Sequence, residues 1–193
     1  YSGQTGELLY RFDGEHSNED FGAHTAAAGD VNKDGFDDII VGAINHRVEG
    51  SSVGALKVYS GKDGSLLYKK TGSQFLSYYG RNVSGMGDIN NDGYDDFALT
   101  GLNANGELIT YVVANGINTF VPTHILQGVY YGKPAWGDYD ADGDLDLLIS
   151  GHSNVTYLPS GDPDIGSNPI TIIYYQDEVG NFSIDQTLSI DST

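Results

Sequence analysis

Length, composition and charge limit the class of protein to which this sequence belongs. The chain has 193 residues, of which 39% are apolar, so it can form one or two domains with a sizeable core. It carries 27 Asp and Glu residues against 9 Lys and Arg, a net charge of −18, which argues against a nucleic-acid partner and favours cations or basic surfaces. The absence of Cys excludes disulfides and Cys-ligated zinc, and no apolar run is long enough for membrane insertion. Because Tyr1 is neither an initiator Met nor part of a signal-like segment, we expect a piece of a longer protein.

The sequence repeats itself along most of its length. Similar segments begin at Phe21, Tyr79 and Tyr131, and a weaker pair begins at Tyr1 and Tyr59. The first two copies lie 58 residues apart, a spacing that suits one four-stranded unit with its loops. The chain is therefore predicted to be an array of repeats.

Each repeat contains short segments rich in β-branched and aromatic residues, separated by turn signals, which predicts strands. Four strands per repeat, with small residues in the first, indicate an all-β fold of β-propeller blades. Three blades cannot readily close a ring, so we expect part of a larger propeller, with an assembly of several copies or an open arc of blades as the alternatives. The predicted strands are Ala23–Gly29, Ile39–Ala43, Ala55–Tyr59 and Leu66–Lys70 in the first unit, Asn82–Gly87, Phe97–Leu102, Leu108–Ala114 and His124–Gly128 in the second, and Pro134–Gly137, Leu147–Gly151, Ile170–Tyr175 and Phe182–Leu188 in the third.

The predicted organisation is a single propeller segment over residues 1–193. Residues 1–15 would hold the outer strand of a preceding blade, at Leu8–Phe12, and the three blades would span 16–73, 74–126 and 127–193. The third blade contains three Pro residues within Thr156–Pro169, which predicts an inserted surface loop.

Three acidic loops carry the chemistry, at residues 30–38 (first loop), 88–96 (second loop) and 138–146 (third loop). Each has an oxygen-bearing side chain at positions 1, 3, 5 and 9 and a Gly at position 6. Alternate positions of a curled loop point inward, the Gly permits a positive φ, and position 7 can offer its backbone carbonyl. Position 9 is the expected bidentate ligand. The predicted metal ligands are Asp30, Asn32, Asp34, Phe36 and Asp38; Asp88, Asn90, Asp92, Tyr94 and Asp96; and Asp138, Asp140, Asp142, Asp144 and Asp146.

These oxygen ligands predict three Ca²⁺ sites. Zinc and copper are disfavoured because the loops contain no His or Cys. An EF-hand is excluded because its position 12 requires Glu, where this chain has Val41, Leu99 and Ile149 within predicted strands. The alternative for any single loop is a solvated Asx-rich turn without metal, and three copies in register make that alternative less favourable.

The repeat resembles the FG-GAP repeat of integrin α-subunit propellers and related bacterial surface proteins. The resemblance rests on the aromatic–Gly pairs Phe21–Gly22, Tyr79–Gly80 and Tyr131–Gly132, each followed by small residues, an acidic loop and an apolar strand. It implies a propeller of usually seven blades, with calcium between the first two strands of a blade and a partner bound at the opposite face or its loops. In the third unit the aromatic residue precedes the first Asp by seven residues rather than nine.

The function that these observations favour is that of a calcium-stabilised propeller segment in an extracellular or cell-surface protein of adhesion or ligand binding, without enzymatic activity. Calcium loops with Kd values of about 10⁻⁴ to 10⁻³ M are useful where free calcium is high. Expected partners are a protein or glycan ligand and further blades or other copies of the chain, but neither nucleic acid nor the membrane interior. The alternatives are the propeller part, catalytic or not, of a calcium-dependent polysaccharide-active enzyme, and a structural subunit of a surface filament or assembly.

Aromatic residues supply a second candidate surface. They are expected to pack between blades or, alternatively, to stack on sugars or a protein at one rim. They are Tyr78, Tyr79, Tyr130, Tyr131, Trp136, Tyr139, Tyr174 and Tyr175.

Overall fold

A computed structural model describes residues 2–73, 77–103, 107–116, 119–153, 155–157, 163–165, 169–177 and 181–189. These residues form strands, turns and extended connections and no helix, which confirms the all-β prediction. No helix in the described ranges therefore has the length and apolarity that a membrane span requires.

Three four-stranded antiparallel sheets form the body of the molecule. In the first two sheets, the strands also neighbour one another in chain order, apart from one short inserted hairpin. The first sheet consists of β1 (Phe21–Gly29), β2 (Asp38–Ala43), β5 (Ala55–Tyr59) and β6 (Leu66–Thr71), with the hairpin β3 (Arg47–Val48) and β4 (Ser51–Ser52) inserted after β2. The second consists of β7 (Val83–Gly87), β8 (Asp96–Leu102), β9 (Leu108–Gly116) and β10 (Thr119–Gln127).

The third sheet has the same order but carries a larger insertion. Its strands are β11 (Tyr130–Gly137), β12 (Asp146–His152), β15 (Pro169–Gln176) and β16 (Phe182–Ser189), and the hairpin β13 (Val155–Tyr157) and β14 (Pro163–Ile165) lies between β12 and β15. The sequence predicted a loop in this insertion, and the structure corrects that prediction because part of the segment pairs with itself. All twelve strands predicted for the three units are present within a few residues of their expected bounds.

The sheets stack face to face, and apolar side chains fill the two spaces between them. In the second sheet, which lies between the other two, successive side chains of β8 point to opposite faces. Phe97 and Leu99 contribute to the core shared with the first sheet, and Ala98 contributes to the core shared with the third. The first strands β1, β7 and β11 lie side by side, and Gly85 approaches the carbonyl of Ala27 so closely that a Cβ there would lie 2.3 Å from its oxygen. Small residues in the first strands therefore permit the close packing of successive sheets.

One face of the third sheet is left uncovered by the described chain. Leu148 is 38% exposed on this face, whereas Ala98, its counterpart on the second sheet, is fully buried beneath the third sheet. Ala135, which pairs with Leu148, is also exposed, and Tyr139 in the adjoining loop is more than half exposed. The third sheet thus ends the stack with an apolar surface.

The leading segment does not form the strand predicted at Leu8–Phe12, since no strand lies between residues 2 and 20. The segment instead contacts the first sheet through side chains: Phe12 stacks on Tyr59 at 4.2 Å between ring centroids, and the Tyr10 hydroxyl donates to the carbonyl of Lys62 at 2.5 Å. A strand requires backbone pairing with a neighbour, and the described chain provides none here. The assignment of residues 1–15 to a preceding blade stays a prediction.

The aromatic–Gly pair of the third unit lies one residue earlier than its sequence suggests. Gly22 and Gly80 have φ values of 83° and 79° in the first two units, and in the third unit Tyr131, not the following Gly, adopts this conformation, with φ of 58°. In addition, β1 and β7 have an irregularity of register at Ala28 and Met86, just before the acidic loop, and β11 has none there. The one-residue shift of the aromatic–Gly pair and the absence of the irregularity in β11 together account for the spacing of seven residues instead of nine.

Candidate calcium-binding loops

The three acidic loops connect the first and second strands of the three sheets. In each sheet the loop closes on the same backbone pair, as Gly29 pairs with Asp38, Gly87 with Asp96 and Gly137 with Asp146. The loops therefore lie at equivalent ends of the three sheets. This placement agrees with the expectation of a loop between two strands rather than between two helices.

A shared set of hydrogen bonds curls each loop around its own carboxylates. The N–H of the position-6 Gly donates to the Asp at position 1, at 2.8 Å for Gly35, 2.6 Å for Gly93 and 3.2 Å for Gly143. The N–H of position 5 donates to the side chain at position 3, at 2.9, 2.9 and 3.1 Å, and the N–H of position 7 donates to position 5 at 3.1, 2.9 and 3.0 Å. The side chains at positions 1, 3 and 5 are thus turned toward the inside of each loop.

Two positions of each loop adopt the left-handed conformation, where the sequence predicted one. The Gly at position 6 has φ between 84° and 100°, as expected. Position 4 also has a positive φ, of 59° at Lys33, 56° at Asn91 and 63° at Ala141. Side chains other than Gly rarely adopt this conformation, so the loop backbone is held by its hydrogen bonds rather than by residue choice at position 4.

The Asp at position 9 is the buried centre of each loop. Asp38, Asp96 and Asp146 are at most 2% exposed. One oxygen of each accepts the N–H of position 2, at 3.0, 3.1 and 2.8 Å. The other accepts an N–H at the end of the third main strand or, for Gly61, two residues beyond it, at 3.0, 2.6 and 3.0 Å. Burial, and after it the neighbouring loop carboxylates, raises the pKa of Asp38 to about 6 and that of Asp96 to about 7.

The predicted ligands come together most clearly in the third loop. One carboxylate oxygen each of Asp138, Asp140 and Asp146 lies within 4.8 Å of the other two. The predicted metal ligands in all three loops are oxygen atoms, which suit a hard cation such as Ca²⁺. A cation would also offset the free-energy cost of ionising the buried Asp at position 9. At position 7, Phe36 is half exposed, as expected for a residue that would offer only its carbonyl.

The first and second loops also contact each other directly. The N–H of Asp30 donates to Asp95 Oδ2 at 2.7 Å, and Lys33 Nζ donates to the carbonyl of Asp92 at 2.6 Å while lying 3.9 Å from the ring centroid of Tyr94. Sequence reasoning missed these contacts because they involve positions 4 and 8, which were not expected to bind metal.

A second cluster of charged residues lies between the leading segment and the first sheet. Lys57 Nζ is buried and contacts Glu15 at 3.0 Å, and Lys69 contacts both oxygens of the same carboxylate at 2.7 and 2.8 Å, which holds the pKa of Glu15 down to about 2. His46 Nδ1 and Glu19 Oε2 are buried and 2.7 Å apart. Glu15, His16 and His46 are close enough to share a metal. Because two lysines already occupy the Glu15 carboxylate, we assign the cluster as an ion-pair network that fastens the leading segment to the first sheet.

The aromatic residues serve mainly in packing. Tyr79, Tyr130 and Tyr174 are buried between sheets, whereas Tyr131 is 51% exposed. The guanidinium of Arg81 lies over the rings of Tyr130 and Tyr131, 4.5 and 4.3 Å from their centroids. The expectation of packing between blades fits Tyr79, Trp136 and Tyr174, which contribute to the two cores, and does not fit the exposed Tyr131 and Tyr139.

Stacked four-stranded sheets of this order, each with an acidic loop after its first strand, define a repeat protein of β-propeller blades. Comparison with known families agrees: an FG-GAP repeat matches residues 21–59 and an FG-GAP-like repeat matches residues 88–149. The chain belongs to the FG-GAP repeat family of integrin-like proteins.

Similar proteins include several integrin α subunits. The chain is 32% identical to integrin alpha-8 of Homo sapiens over 156 residues, which cover 72% of this chain and 14% of that protein. It is 38% identical to integrin alpha-6 of Homo sapiens over 139 residues, covering 68% and 12%, and 28% identical to integrin alpha-V of Gallus gallus over 171 residues, covering 77% and 16%. The chain thus spans only a small part of the length of each relative.

Proposed function

We propose that the chain is a calcium-stabilised segment of a β-propeller in an extracellular or cell-surface protein that acts in adhesion or ligand binding and is not itself an enzyme. The observation that carries this proposal is the threefold repetition of one buried Asp, at position 9, with both oxygens oriented by backbone N–H groups. Among the described residues no Lys or Arg forms an ion pair with Asp38, Asp96 or Asp146. A buried carboxylate without a basic partner is costly, and a bound cation supplies the missing positive charge.

The oxygen-rich loops favour Ca²⁺ over Mg²⁺. The five predicted ligands of each loop include the bidentate Asp at position 9, so they offer six oxygens before any water is counted, within a flexible loop. Mg²⁺ requires compact octahedral geometry and retains several waters. We therefore propose three Ca²⁺ sites per chain, held by the residues predicted from the sequence.

Isothermal titration calorimetry of the chain with Ca²⁺ and, separately, Mg²⁺ tests the proposal. The expected result is about three Ca²⁺ ions per chain and much weaker Mg²⁺ binding. Absence of heat with Ca²⁺, or equal affinity for the two ions, would contradict it. The titration must start from protein that has been treated with a chelator and then dialysed to remove both calcium and chelator.

The similarity to integrin α subunits supports the adhesion role and the cell-surface location, and calcium loops of modest affinity suit the high free calcium outside cells. The partner would be a protein or a glycan. A glycan and protein-ligand array probed with the chain in calcium and in chelator tests this part, and ligand capture that depends on calcium is the expected outcome. Capture that is equally strong in chelator would contradict a calcium-dependent binding face.

We also propose that the three sheets are the blades at residues 16–73, 74–126 and 127–193, and that residues 1–15 complete a preceding blade. Tyr10 reaches the carbonyl of Lys62 on the first sheet, and Tyr68, 58 residues later, reaches the carbonyl of Phe120 on the second at the same sequence separation. The leading segment thus contacts the first sheet as the outer strand of the first sheet contacts the second. A further blade would cover the exposed face around Leu148, and sedimentation equilibrium of the isolated chain should reveal self-association; a monomer without dye-accessible apolar surface would contradict this.

A further inference from the structure

A continuous series of hydrogen bonds joins the third loop to the second. The backbone N–H of Gln176 donates to Asp146, at position 9 of the third loop, at 3.0 Å. The side-chain Nε2 of the same Gln176 crosses to the neighbouring sheet and donates to the carbonyl of Ile89 at 2.9 Å. The N–H of Ile89 in turn donates to Asp96 Oδ2, at position 9 of the second loop, at 3.1 Å. Two buried carboxylates in different sheets are thereby connected through one amide side chain.

The same arrangement recurs between the second loop and the first. The N–H of Asn115 donates to Asp96 Oδ1 at 2.6 Å, and Asn115 Nδ2 donates to the carbonyl of Val31. The N–H of Val31 donates to Asp38 Oδ2 at 3.0 Å. Asn115 is 2% exposed, and its Oδ1, like the Oε1 of Gln176, has no hydrogen-bond partner among the described residues. Burying an unpaired amide oxygen is costly, so each of these side chains is present at the interface for its donor group.

We propose that Gln176 and Asn115 are positioning residues that couple calcium binding in each loop to the occupancy of the next. The inference rests on the proposed calcium sites. Calcium in the third loop fixes Asp146 and hence Gln176, whose side chain then holds Ile89 and orients Asp96 for calcium in the second loop. Coupling of this kind is reciprocal, so calcium in the second loop also favours binding in the third. The first sheet has Gly61 at the corresponding place, so among the described residues the series ends at the first loop.

The interface between the second and third sheets is the cleaner place for a test. The first and second loops share the additional contacts through Lys33 of the first loop and Asp95 of the second. At the interface of the second and third loops the corresponding residues are Asn91 of the second loop and Leu145 of the third. The backbone N–H of Gln176 contacts the third loop, and its side chain contacts the second loop. Gln176→Met therefore removes only the cross-sheet hydrogen bond at nearly constant volume.

Calcium titration followed by ¹H–¹⁵N NMR reads each loop separately through its position-6 Gly amide. In Gln176→Met we expect the calcium midpoint of Gly93 to rise about fivefold or more, the lower end of typical coupling between sites, and that of Gly143 to rise with it because the coupling is reciprocal. In the parent chain Asp142→Ala, which disables the third loop, should raise the midpoint of Gly93 similarly, and this effect should vanish in the Gln176→Met background. Asn82→Leu is the matched control, since Asn82 is also buried and donates across the same two sheets, to Gly132 at 2.6 Å, away from the loops.

The outcomes separate the coupling from the calcium proposal. No response of any loop Gly to calcium in the parent chain would overturn both. A parent response with an unchanged Gly93 midpoint in Gln176→Met, or an equal shift in Asn82→Leu, would overturn the coupling alone. Hydrogen exchange in chelator gives a calcium-free check, since the Ile89 amide should exchange faster in Gln176→Met than in the control, and an unchanged rate would contradict the positioning role. If Gln176→Met does not fold, Asn115→Leu with Gly35 as reporter repeats the test at the first interface, with the same outcomes.

Discussion

Replacing Asp92 with Ala measures how much the proposed calcium site of the second loop contributes to stability. Asp92 is exposed, and its Oδ1 accepts the N–H of Tyr94 at 2.9 Å, so in chelator the change removes one weak hydrogen bond, worth at most about 1 kcal/mol. In calcium it also removes a predicted ligand. A cation that binds only the folded chain stabilises it by RT ln(1 + [L]/Kd), about 2.7 kcal/mol when free calcium is 100 times Kd. The expected loss of unfolding free energy is therefore about 3 to 4 kcal/mol in calcium and about 1 kcal/mol or less in chelator.

Thermal unfolding followed by circular dichroism, with free calcium at about 100 times Kd and in chelator, checks this difference. For a domain of this size each kcal/mol corresponds to about 2–4 °C in Tm, so the calcium-dependent part should be about 5–10 °C. Asp37→Ala is the matched control, because Asp37 is an exposed loop carboxylate outside the predicted ligand set and its loss should leave the calcium effect intact. An equal fall in Tm with and without calcium for Asp92→Ala would show that the residue acts through loop geometry instead.

Three further predictions follow from burial and charge. Burial raises the pKa of Asp96 to about 7, so between about pH 4 and 7 the folded calcium-free chain binds a proton more tightly than the unfolded chain. The free energy of unfolding in chelator should therefore fall from pH 5 to pH 8, and the affinity for calcium should rise over the same range. Melts or calcium titrations with the opposite slope would contradict this. Lys57→Met leaves Glu19 buried without its nearby cation and should cost about 3–5 kcal/mol in urea unfolding, whereas a loss below about 1 kcal/mol would refute the ion-pair assignment. Leu148→Asp should leave the fold intact and reduce self-association in sedimentation, while Ala98→Asp, at the equivalent buried position, should unfold the chain; equal effects would contradict the stacking order.

Local patterns in the sequence were sufficient to predict the strands and the loops. The position-6 Gly and the alternating Asp and Asn of a loop such as 30–38 place it between two strands, and the apolar segment after it can only be a buried strand. Pairing outside the twelve main strands of the three units was less predictable. The hairpin Val155–Tyr157 with Pro163–Ile165 lies within a Pro-rich insertion, and the predicted strand at Leu8–Phe12 lacks a partner. The aromatic side chains of the leading segment contact the first sheet, and no local sequence pattern indicates these contacts.

The candidate site was predictable only where side chains define it. Every predicted ligand is an Asp, an Asn or a position-7 residue at a fixed place in the loop. The groups that orient the position-9 Asp are backbone N–H donors, and any residue except Pro can supply one, so the donor is Gly61 in the first sheet, Asn115 in the second and Gln176 in the third. Their separations from that Asp are 23, 19 and 30 residues, so no repeat alignment brings them together.

This difference between side-chain and backbone donors would let the loops resemble one another closely while the proposed coupling between them differs along the array. The backbone donor fixes the position-9 Asp at every sheet whatever residue is present, so the proposed calcium site would be preserved. The side chain of the same residue can then differ between sheets. Gly61 has no side chain that could contact a preceding sheet, whereas the side chains of Asn115 and Gln176 both donate a hydrogen bond to the neighbouring loop. A substitution at this one position can therefore change the communication between calcium sites without changing any ligand. The strength of coupling between neighbouring blades is accordingly a property of the residue at the end of the third strand rather than of the acidic motif.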